Sequence, residues 1–437
     1  YMSGVQRSPG FLWSSDVTSE DEHKACILML VINPKDKVNR YEFMYEKIYN
    51  FKNLLFAYQA ARKCKRYKRN IVDYGFFLES NLLKLQRELA VESYLPSSYV
   101  CFTVFDPKIR KVAAPAFRDR VLQHSLVEQI EPLFDSKFIY DSFACRKNKG
   151  THFGMQRIKK FLQAARSIHG KETEIYCLRM DIQKYFASMS WDILLSIVNR
   201  SVNCDRTKRL IEKIVTVHQC FDINSHPITA PEDVVKPDLR QGVPIGNLTS
   251  QLFANIYLNE LDHFAKETLR IKWYARYMDD FLVIHPDKAY LKQIKEDIKI
   301  FLEQQLGLYL HPKKVIIQNV KTGVPFVGYL IFYDHVLVRG KTLLRMRQKL
   351  KLKRLKAVKN GEEEKLGATY SSIRGHLKHA NAYGLAKNLF ENTIAIEKIT
   401  TKSKELKVKT EAIISKQLKL FTITLISLVY YHVFYYY

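Results

Sequence analysis

The chain has 437 residues, which is enough for two or three structural units with a large apolar core. Its 70 lysine and arginine residues outnumber its 44 aspartate and glutamate residues, so the formal net charge is +26 and a polyanionic partner such as nucleic acid is expected. Its 7 cysteines are scattered and odd in number, and none forms a Cys-x-x-Cys pair, which argues against a disulfide framework and a zinc site.

The two ends of the chain differ in composition from the middle. Residues 1–40 show no clear period and are predicted to form a poorly ordered leader. The short apolar run at 25–32 follows acidic residues, which does not suit a signal peptide. Residues 420–437 contain no Lys, Arg, Asp or Glu, so a membrane anchor stays open beside a strand-like or disordered end. Unpaired cysteines suit a reducing cytoplasm, where we expect the protein to reside.

Residues 40–90 have helical periodicity. Apolar side chains recur there at three- and four-residue spacing, at Phe51, Leu54, Leu55 and Tyr58. The run 62–69 is strongly basic and contains a tyrosine, so it is either a solvated charge run or a contact for a nucleic-acid backbone. A further helix is predicted over 75–90.

Residues 99–123 are predicted to form two short strands and the start of a helix. The stretch 102–105 is rich in β-forming residues, and Asp106-Pro107 favours a turn. Arg110 lies in the second strand, and Arg118 lies in the helix start. A guanidinium suits phosphate because it donates two parallel hydrogen bonds, although an ordinary intrahelical charge network over Arg118, Asp119 and Arg120 is the alternative.

Residues 175–181 alternate apolar side chains into Asp181, as in a buried strand that delivers a carboxylate at its end. An aromatic residue, Phe186, follows five positions later. Its ring could simply pack in the core, or it could belong to a site around Asp181. After a helix-rich insert at 191–230, glycines at 242 and 246 allow a close backbone approach to a ligand. Thr249 or Ser250 is predicted to cap the amphipathic helix that follows.

Residues 273–285 predict a strand, a tight turn and a returning strand, with Asp279 and Asp280 at the tip. Adjacent side chains of an extended chain point to opposite faces, so only one carboxylate aims fully at a shared site unless the turn rotates both. The two residues could merely fill a turn. Unpaired carboxylates beside a buried sheet, however, need a partner or a cation, and Mg²⁺ suits them.

Further along the chain, 287–305 is predicted to be an amphipathic helix and 324–332 a short hairpin. Residues 341–359 are almost entirely basic and aliphatic, as in a helix laid along nucleic acid.

Taken together, these segments resemble the ordered motifs of reverse transcriptases. The tetrapeptide Tyr-Met-Asp-Asp at 277–280 is similar to their catalytic hairpin, and the other segments follow in the family's order across about 41–389. The chain resembles the group II intron and retron-like superfamily, and is most similar to reverse transcriptases of diversity-generating retroelements.

The resemblance implies an α+β fold: a right-hand polymerase with fingers, a palm of antiparallel sheet backed by helices, and a helical thumb. The implied domains are a leader at 1–40, helices and fingers at 41–170, a palm with a helical insert at 171–335, a basic thumb at 336–410 and a tail of unknown role at 411–437.

The resemblance also implies site residues. Two Mg²⁺ ions, or Mn²⁺ in their place, would be held at Asp181, Ile182, Asp279 and Asp280. The implied catalytic residues are those three aspartates and Lys314, which is chosen over Lys313. The implied nucleotide-binding residues are Arg110, Arg118, Lys184, Tyr185, Phe186, Ile245, Gly246 and Gln251. The implied nucleic-acid contacts are Arg146, Tyr277, Met278 and Gly328.

One loop departs from most of the family. The usual pattern is Gln-Gly-x-x-x-Ser-Pro, but here Ile245 stands in the glutamine position and Gln251 in the proline position. This variant is similar to diversity-generating retroelements, in which an aliphatic residue goes with misincorporation opposite template adenine. Isoleucine offers apolar contact alone, and losing one hydrogen bond costs roughly 1 kcal/mol of discrimination.

The implied partners are a template RNA, a primer, the RNA/cDNA hybrid, deoxynucleoside triphosphates and a small basic accessory protein. We see no RNase H or integrase pattern. A retron, group II intron or defence-type reverse transcriptase remains open, as does a template-independent nucleotidyl transferase. A non-catalytic RNA-binding scaffold is the alternative from a different functional class. A ribosome-like or nonspecifically binding basic protein would also have a high positive net charge.

Overall fold

The computed structural model describes residues 39–105, 109–216, 220–221, 227–228, 235–360 and 366–390. The predicted leader, apart from its last two residues, the turn at Asp106-Pro107 and the tail at 411–437 lie outside them. The described residues form two compact units. One runs to Phe138 and includes Lys184–Glu260 and Gln305–Leu308, and the other contains Ile139–Gln183, Leu261–Gln304 and the residues from Tyr309 on.

Helices and short strands alternate along the chain. The helices are α1 Asn39–Tyr49, α2 Phe51–Ala61, α3 Arg69–Phe76, α4 Leu78–Ala90, α5 Phe117–Asp135, α6 Thr151–His169, α7 Tyr185–Ser188, α8 Trp191–Asn199, α9 Asp205–Val215, α10 Leu248–His263, α11 Lys288–Leu306, α12 Gly340–Asn360, α13 Gly367–Leu377 and α14 383–390. The strands are β1 Tyr99–Val104, β2 Arg110–Ala114, β3 Tyr176–Asp181, β4 Cys220–Phe221, β5 Pro227–Ile228, β6 Trp273–Tyr277, β7 Asp280–His285, β8 Ile316–Asn319, β9 Val324–Phe326, β10 Tyr329–Ile331 and β11 Val336–Val338.

The first unit packs helices around α5, which contacts α1, α2 and α3. The predicted three-four spacing in α2 is confirmed, because Leu54, Tyr58 and Ala61 are buried. The helix predicted over 75–90 is confirmed as α4 from Leu78 to Ala90, but its predicted start at Gly75 is wrong. Phe77 leaves the helical region with φ −111° and ψ 42°, so α3 ends before it and α4 begins after it. Strands β1 and β2 pair antiparallel, as the sequence predicts, in a sheet of order β2-β1-β4-β5.

The second unit is built on an antiparallel sheet of order β6-β7-β3-β8. Strands β6 and β7 carry nearly continuous buried runs, which is typical of a sheet covered on both faces. On β6, Trp273 and Ala275 join the apolar core formed with α6. By strand alternation, Tyr274 and Arg276 lie on the opposite face, where both bond to Asp262 of α10.

A second, smaller sheet of order β11-β10-β9 shares the core of this unit. The basic helix predicted at 341–359 is confirmed as α12. It packs with α13 and α14 around Leu350, Ile373 and Leu389. Within the described part of the chain, no helix combines the length and apolar character needed to cross a bilayer. The α+β class is confirmed, while the predicted domain boundaries stay a prediction.

Candidate active site

The predicted strand–turn–strand at 273–285 is confirmed. Strand β6 ends at Tyr277, β7 begins at Asp280, and the turn between them consists of Met278 and Asp279. Met278 has φ 58°, in the left-handed region that non-glycine residues rarely adopt. Its carbonyl accepts a hydrogen bond from Nη1 of Arg276 at 3.2 Å. The turn therefore has an unusual backbone conformation that the neighbouring side chain supports.

The pairing of β3 with β7 places Asp181 directly opposite Asp280. Beyond the strand end, the backbone N–H of Ile182 donates to the carbonyl of Asp279 at 3.3 Å. The carbonyl of Asp181 accepts from the backbone N–H of His311 at 2.8 Å. Three distant segments thus meet at this end of the sheet. Ile182 is present there through its main chain, because its side chain is buried in the core.

The surroundings of Asp280 disfavour the ionised form of its carboxyl group. Burial raises its pKa from 3.8 to about 7, and the nearby charges of Asp181 and Asp279 add to the rise, while Arg179 and Arg339 oppose it. The side chain as a whole keeps 29% of its exposure, and its Oδ2 lies 3.9 Å from Nη2 of Arg179. Its Oδ1 is shielded from solvent and has no hydrogen-bond partner. An ionised Asp280 therefore lacks compensation on one oxygen.

These carboxylates fit a divalent cation. A hard cation such as Mg²⁺ takes a few carboxylates together with phosphate oxygens, and Asp280 Oδ1 is a buried acceptor with no donor. Across the described ranges, however, no three His, Cys, Asp or Glu side chains are arranged to hold a metal ion. The structure thus supports Asp181 and Asp280 as a facing pair, and Asp279 as a third ligand stays a prediction.

Lys314 contacts this pair. Its Nζ lies 2.6 Å from Oδ1 of Asp181, and the lysine side chain is 43% exposed. A backbone hydrogen bond from the N–H of Lys314 to the carbonyl of His311 forms the turn that presents it. The choice of Lys314 over its exposed neighbour Lys313 is therefore supported by a direct ion pair.

In the first unit, the loop that carries Gly242 and Gly246 lies beside the segment that carries Phe186. The N–H of Val243 donates to the carbonyl of Phe186 at 2.9 Å, and the N–H of Gly242 donates to that of Met189 at 2.8 Å. Phe186 is half-buried, whereas Tyr185 is buried and donates to the carbonyl of Ala254 at 2.6 Å. Core packing therefore accounts for Tyr185, and Phe186 keeps a partly open ring.

The same loop lies against β2. Gly246 has φ +122°, and a Cβ built there would lie 3.0 Å from Cγ1 of Val112 and 3.4 Å from the carbonyl oxygen of Ala113. Glycine is thus required both by conformation and by the close approach. Ile245 beside it is half-buried, and Gln251 is exposed. Thr249 and Ser250 are buried in the first turn of α10, which already begins at Leu248, so the predicted cap is wrong.

Two of the predicted phosphate ligands of the first unit differ in their surroundings. Arg110 is exposed at the start of β2, opposite Val104. Arg118 forms an ion pair with Glu88, and its guanidinium lies 5.1 Å from the centre of the Tyr94 ring. The geometry favours a structural role for Arg118. Lys184 is exposed and has φ 45°, and its nucleotide contact stays a prediction.

Two residues of the second unit that were predicted to contact nucleic acid make contacts within the protein. Arg146 donates through Nη1 to the carbonyls of Ile139 at 2.8 Å and Ser142 at 3.0 Å. Tyr277 packs edge-on against Phe326, with ring centroids 6.5 Å apart. Their contacts with template or primer stay predictions.

Gly328 lies in the turn between β9 and β10. It has φ +93°, and a Cβ built there would lie 3.3 Å from Cε1 of His376 on α13. Its carbonyl accepts from the N–H of Arg339 at 3.1 Å. The turn is thus closely packed against the basic helices of the same unit, and its grip on a primer stays a prediction.

Sequence analysis missed the fully buried pair formed by Arg276 and Asp262. A signal was available, because Arg276 stands inside an otherwise apolar strand, where an arginine needs a buried partner. Asp262 could not have been assigned from periodicity, since α10 carries several polar residues.

Comparison with known proteins gives a consistent result. The family model described as "Reverse transcriptase (RNA-dependent DNA polymerase)" matches residues 105–331. Protein YkfC of Escherichia coli is 26% identical over 267 residues, covering 54% of this chain and 66% of that protein. The group II intron-encoded protein LtrA of Lactococcus lactis is 21% identical over 387 residues, covering 74% of this chain and 58% of that protein.

Among solved structures, apo telomerase from Candida tropicalis, truncated from its C-terminal domain, gives a TM-score of 0.42. It is 13% identical and covers 60% of each chain. The chain spans about two thirds of the length of YkfC and about three fifths of the length of LtrA.

The first prediction concerns the charge on Asp280. The folded state holds its proton more tightly than the unfolded state, because the pKa rises from 3.8 to about 7. The free energy of unfolding should therefore fall as pH rises across that window, by on the order of 2–4 kcal/mol. Asp280→Asn cannot ionise, so we expect it to exceed wild type in stability at about pH 8 and to match it near pH 4. Urea denaturation with a chelator present measures this.

The control is to add Mg²⁺ to both proteins at the higher pH. Mg²⁺ should stabilise wild type more than Asp280→Asn, because binding to the folded state alone raises stability. Equal pH slopes for the two proteins would show that Asp280 titrates normally.

The second prediction concerns Lys314. Its ammonium competes with a cation for Asp181, and a partly exposed ion pair is worth roughly 0.2–1 kcal/mol. Lys314→Gln should therefore raise the apparent affinity for Mg²⁺ by up to about fivefold, as measured by calorimetric titration. Lys313→Gln removes the same charge next to it, and an equal rise there would mean that general charge, not the ion pair, sets the affinity.

Proposed function

The chain belongs to the reverse transcriptase (RNA-dependent DNA polymerase) family, of the group II intron-like type, and we propose that it copies RNA into DNA by metal-assisted phosphoryl transfer. One observation carries the proposal. Asp181 and Asp280 face each other across adjacent strands, with Oδ1 of Asp280 buried and unpartnered. A sheet that needs only stability has no reason to place two carboxylates in this register.

The residues present have distinct roles in this proposal. Asp181 and Asp280 would hold the divalent cations, with Asp279 in the adjoining turn and the main chain of Ile182 beside it. When bound, the cations lower the pKa of the attacking hydroxyl and neutralise charge on the phosphates. Lys314, whose Nζ donates to Oδ1 of Asp181 at 2.6 Å, would be the proton donor to the leaving pyrophosphate.

The basic helices support a nucleic-acid substrate. A cavity of about 680 Å³ is lined by side chains of α12 and α13 together with His152. Its cations are Arg345, Lys349 and Lys353, and none of the described residues that line it is a carboxylate. Such a surface suits a phosphate backbone. The proposed substrates are an RNA template, a primer, the RNA/cDNA hybrid and deoxynucleoside triphosphates, with a small basic protein as accessory partner.

We further propose that the enzyme is the error-prone polymerase of a diversity-generating retroelement. The support is the loop that carries Ile245, which lies on β2 at Gly246 and beside Phe186 at Val243. At this position glutamine would offer a hydrogen bond to the nucleotide, and isoleucine offers none. A faithful retron or intron-type enzyme is the alternative within the family.

The third prediction tests the activity. Primer extension on an RNA template with Mg²⁺ should yield DNA, and Asp279→Ala should lower the rate by at least about 10²-fold, because a charge-stabilising group is lost. Asp334→Ala, an exposed aspartate of the same unit, is the control and should keep the rate. A wild-type protein that binds RNA but makes no DNA, even with a basic accessory protein, would favour the scaffold reading.

The fourth prediction tests the fidelity. Ile245→Gln should lower errors opposite template adenine by about fivefold, the factor that corresponds to one hydrogen bond of about 1 kcal/mol. Sequencing of the cDNA gives the error at each template base, and Ile245→Val is the control that keeps an aliphatic side chain. An adenine error rate that is low in wild type would move the enzyme to a faithful branch.

A further inference from the structure

A fully buried ion pair lies behind the catalytic hairpin. Arg276 on β6 and Asp262 on α10 are both 0% exposed in their side chains. Nε of Arg276 donates to Oδ1 of Asp262 at 2.8 Å, and Nη2 donates to Oδ2 at 2.6 Å. The hydroxyl of Tyr274 donates to the same Oδ1 at 2.8 Å. Both carboxylate oxygens are thus satisfied, and the guanidinium has one orientation.

The remaining end of the guanidinium reaches the catalytic turn. Nη1 of Arg276 donates to the carbonyl of Met278 at 3.2 Å. Met278 has the left-handed φ of 58°, and the next two residues are Asp279 and Asp280. A backbone in this region persists only when its surroundings hold it. Arg276 therefore connects α10 to the residue that sets the direction of the aspartates.

The main chain of Arg276 is fixed as well. Its N–H donates to the carbonyl of Asp141 at 3.0 Å, and its carbonyl accepts from the N–H of Phe143 at 3.1 Å. The carboxylate of Asp141 is in turn bound by Nε of Arg157 on α6 at 2.6 Å. The main chain of Arg276 is therefore held in place at one end, and its guanidinium binds the carbonyl of Met278 at the other.

We propose that Arg276, oriented by Asp262, is a positioning residue for the Tyr-Met-Asp-Asp turn. Core packing alone does not explain the pair, because apolar residues of similar volume commonly replace a buried ion pair without loss of stability. Apolar residues cannot donate to the carbonyl of Met278. The inference rests on the proposed polymerase function, since its main readout is catalysis.

The test compares wild type with the double variant Asp262→Leu, Arg276→Met. Removing both charges together leaves neither one buried alone, so we expect a melting temperature close to wild type. We expect kcat for primer extension to fall roughly 10²-fold, the effect of misplacing a reacting group by about 1 Å, with little change in KM for the nucleotide. The rise in melting temperature on adding Mg²⁺ should shrink.

Two single variants sharpen the comparison. Tyr274→Phe removes a hydrogen bond to Asp262 but leaves Arg276 on both of its partners, so a kcat within a few-fold of wild type is expected. Arg276→Lys keeps the positive charge, but one ammonium lacks the fork that serves Asp262 and Met278 together. It should lose kcat, and it serves as the test if the double variant does not fold.

A folded double variant, or a folded Arg276→Lys variant, with wild-type kcat would overturn the inference. If wild type itself is as inactive as Asp279→Ala, the proposed function fails, and the Mg²⁺-induced rise in melting temperature then decides the inference. An equal rise in wild type and the double variant would overturn it, and a smaller rise in the double variant would support it.

Discussion

The antiparallel pairing of β3 with β7 is the constraint on which the site depends, because it sets two carboxylates against each other. Like charges directly opposite on a sheet are destabilising, and here one of them is also desolvated. Burial is the main cause of the raised pKa of Asp280, and the facing charge of Asp181 adds to it. Arg179 at 3.9 Å and Lys314 on Asp181 relieve part of the repulsion. The remaining repulsion between the carboxylates would be reduced further by a bound cation.

The rest of the second unit makes this register hard to change. A slip of one residue would exchange Leu282 and Ile284, which are buried in the core shared with α6, with the side chains that are buried on the opposite face of β7, so both packed faces would have to be rebuilt. The burial that fixes the register also desolvates Asp280. Burial therefore both stabilises the sheet and disfavours the ionised form of Asp280. A change that altered one of these effects would alter the other.

Much of this could be predicted from local sequence. Period-two alternation located β3, and runs of aromatic and β-branched residues located β6 and β7. Three-four spacing located α2, and a basic and aliphatic composition located α12. Pairings over long sequence separations could not be predicted. Lys314 and Asp181 are 133 residues apart, and Arg118 meets Glu88 across 30. The break at Phe77 was missed because Phe77 itself is neither glycine nor proline, and Gly75, two residues earlier, lies inside α3. The +26 charge indicated a polyanion but not which cations line a cavity.

The proposed catalytic residues and the proposed fidelity residues lie in different parts of the chain. The carboxylates, Lys314 and the Arg276–Asp262 pair belong to the second unit, whereas Ile245 and Phe186 belong to the first. In the proposed function, Ile245→Gln would add about one hydrogen bond to nucleotide discrimination and leave the register of Asp181 and Asp280 untouched. Such a separation lets a polymerase lose accuracy at one template base without losing rate, because discrimination depends on a difference between substrates and the metal site serves all of them alike.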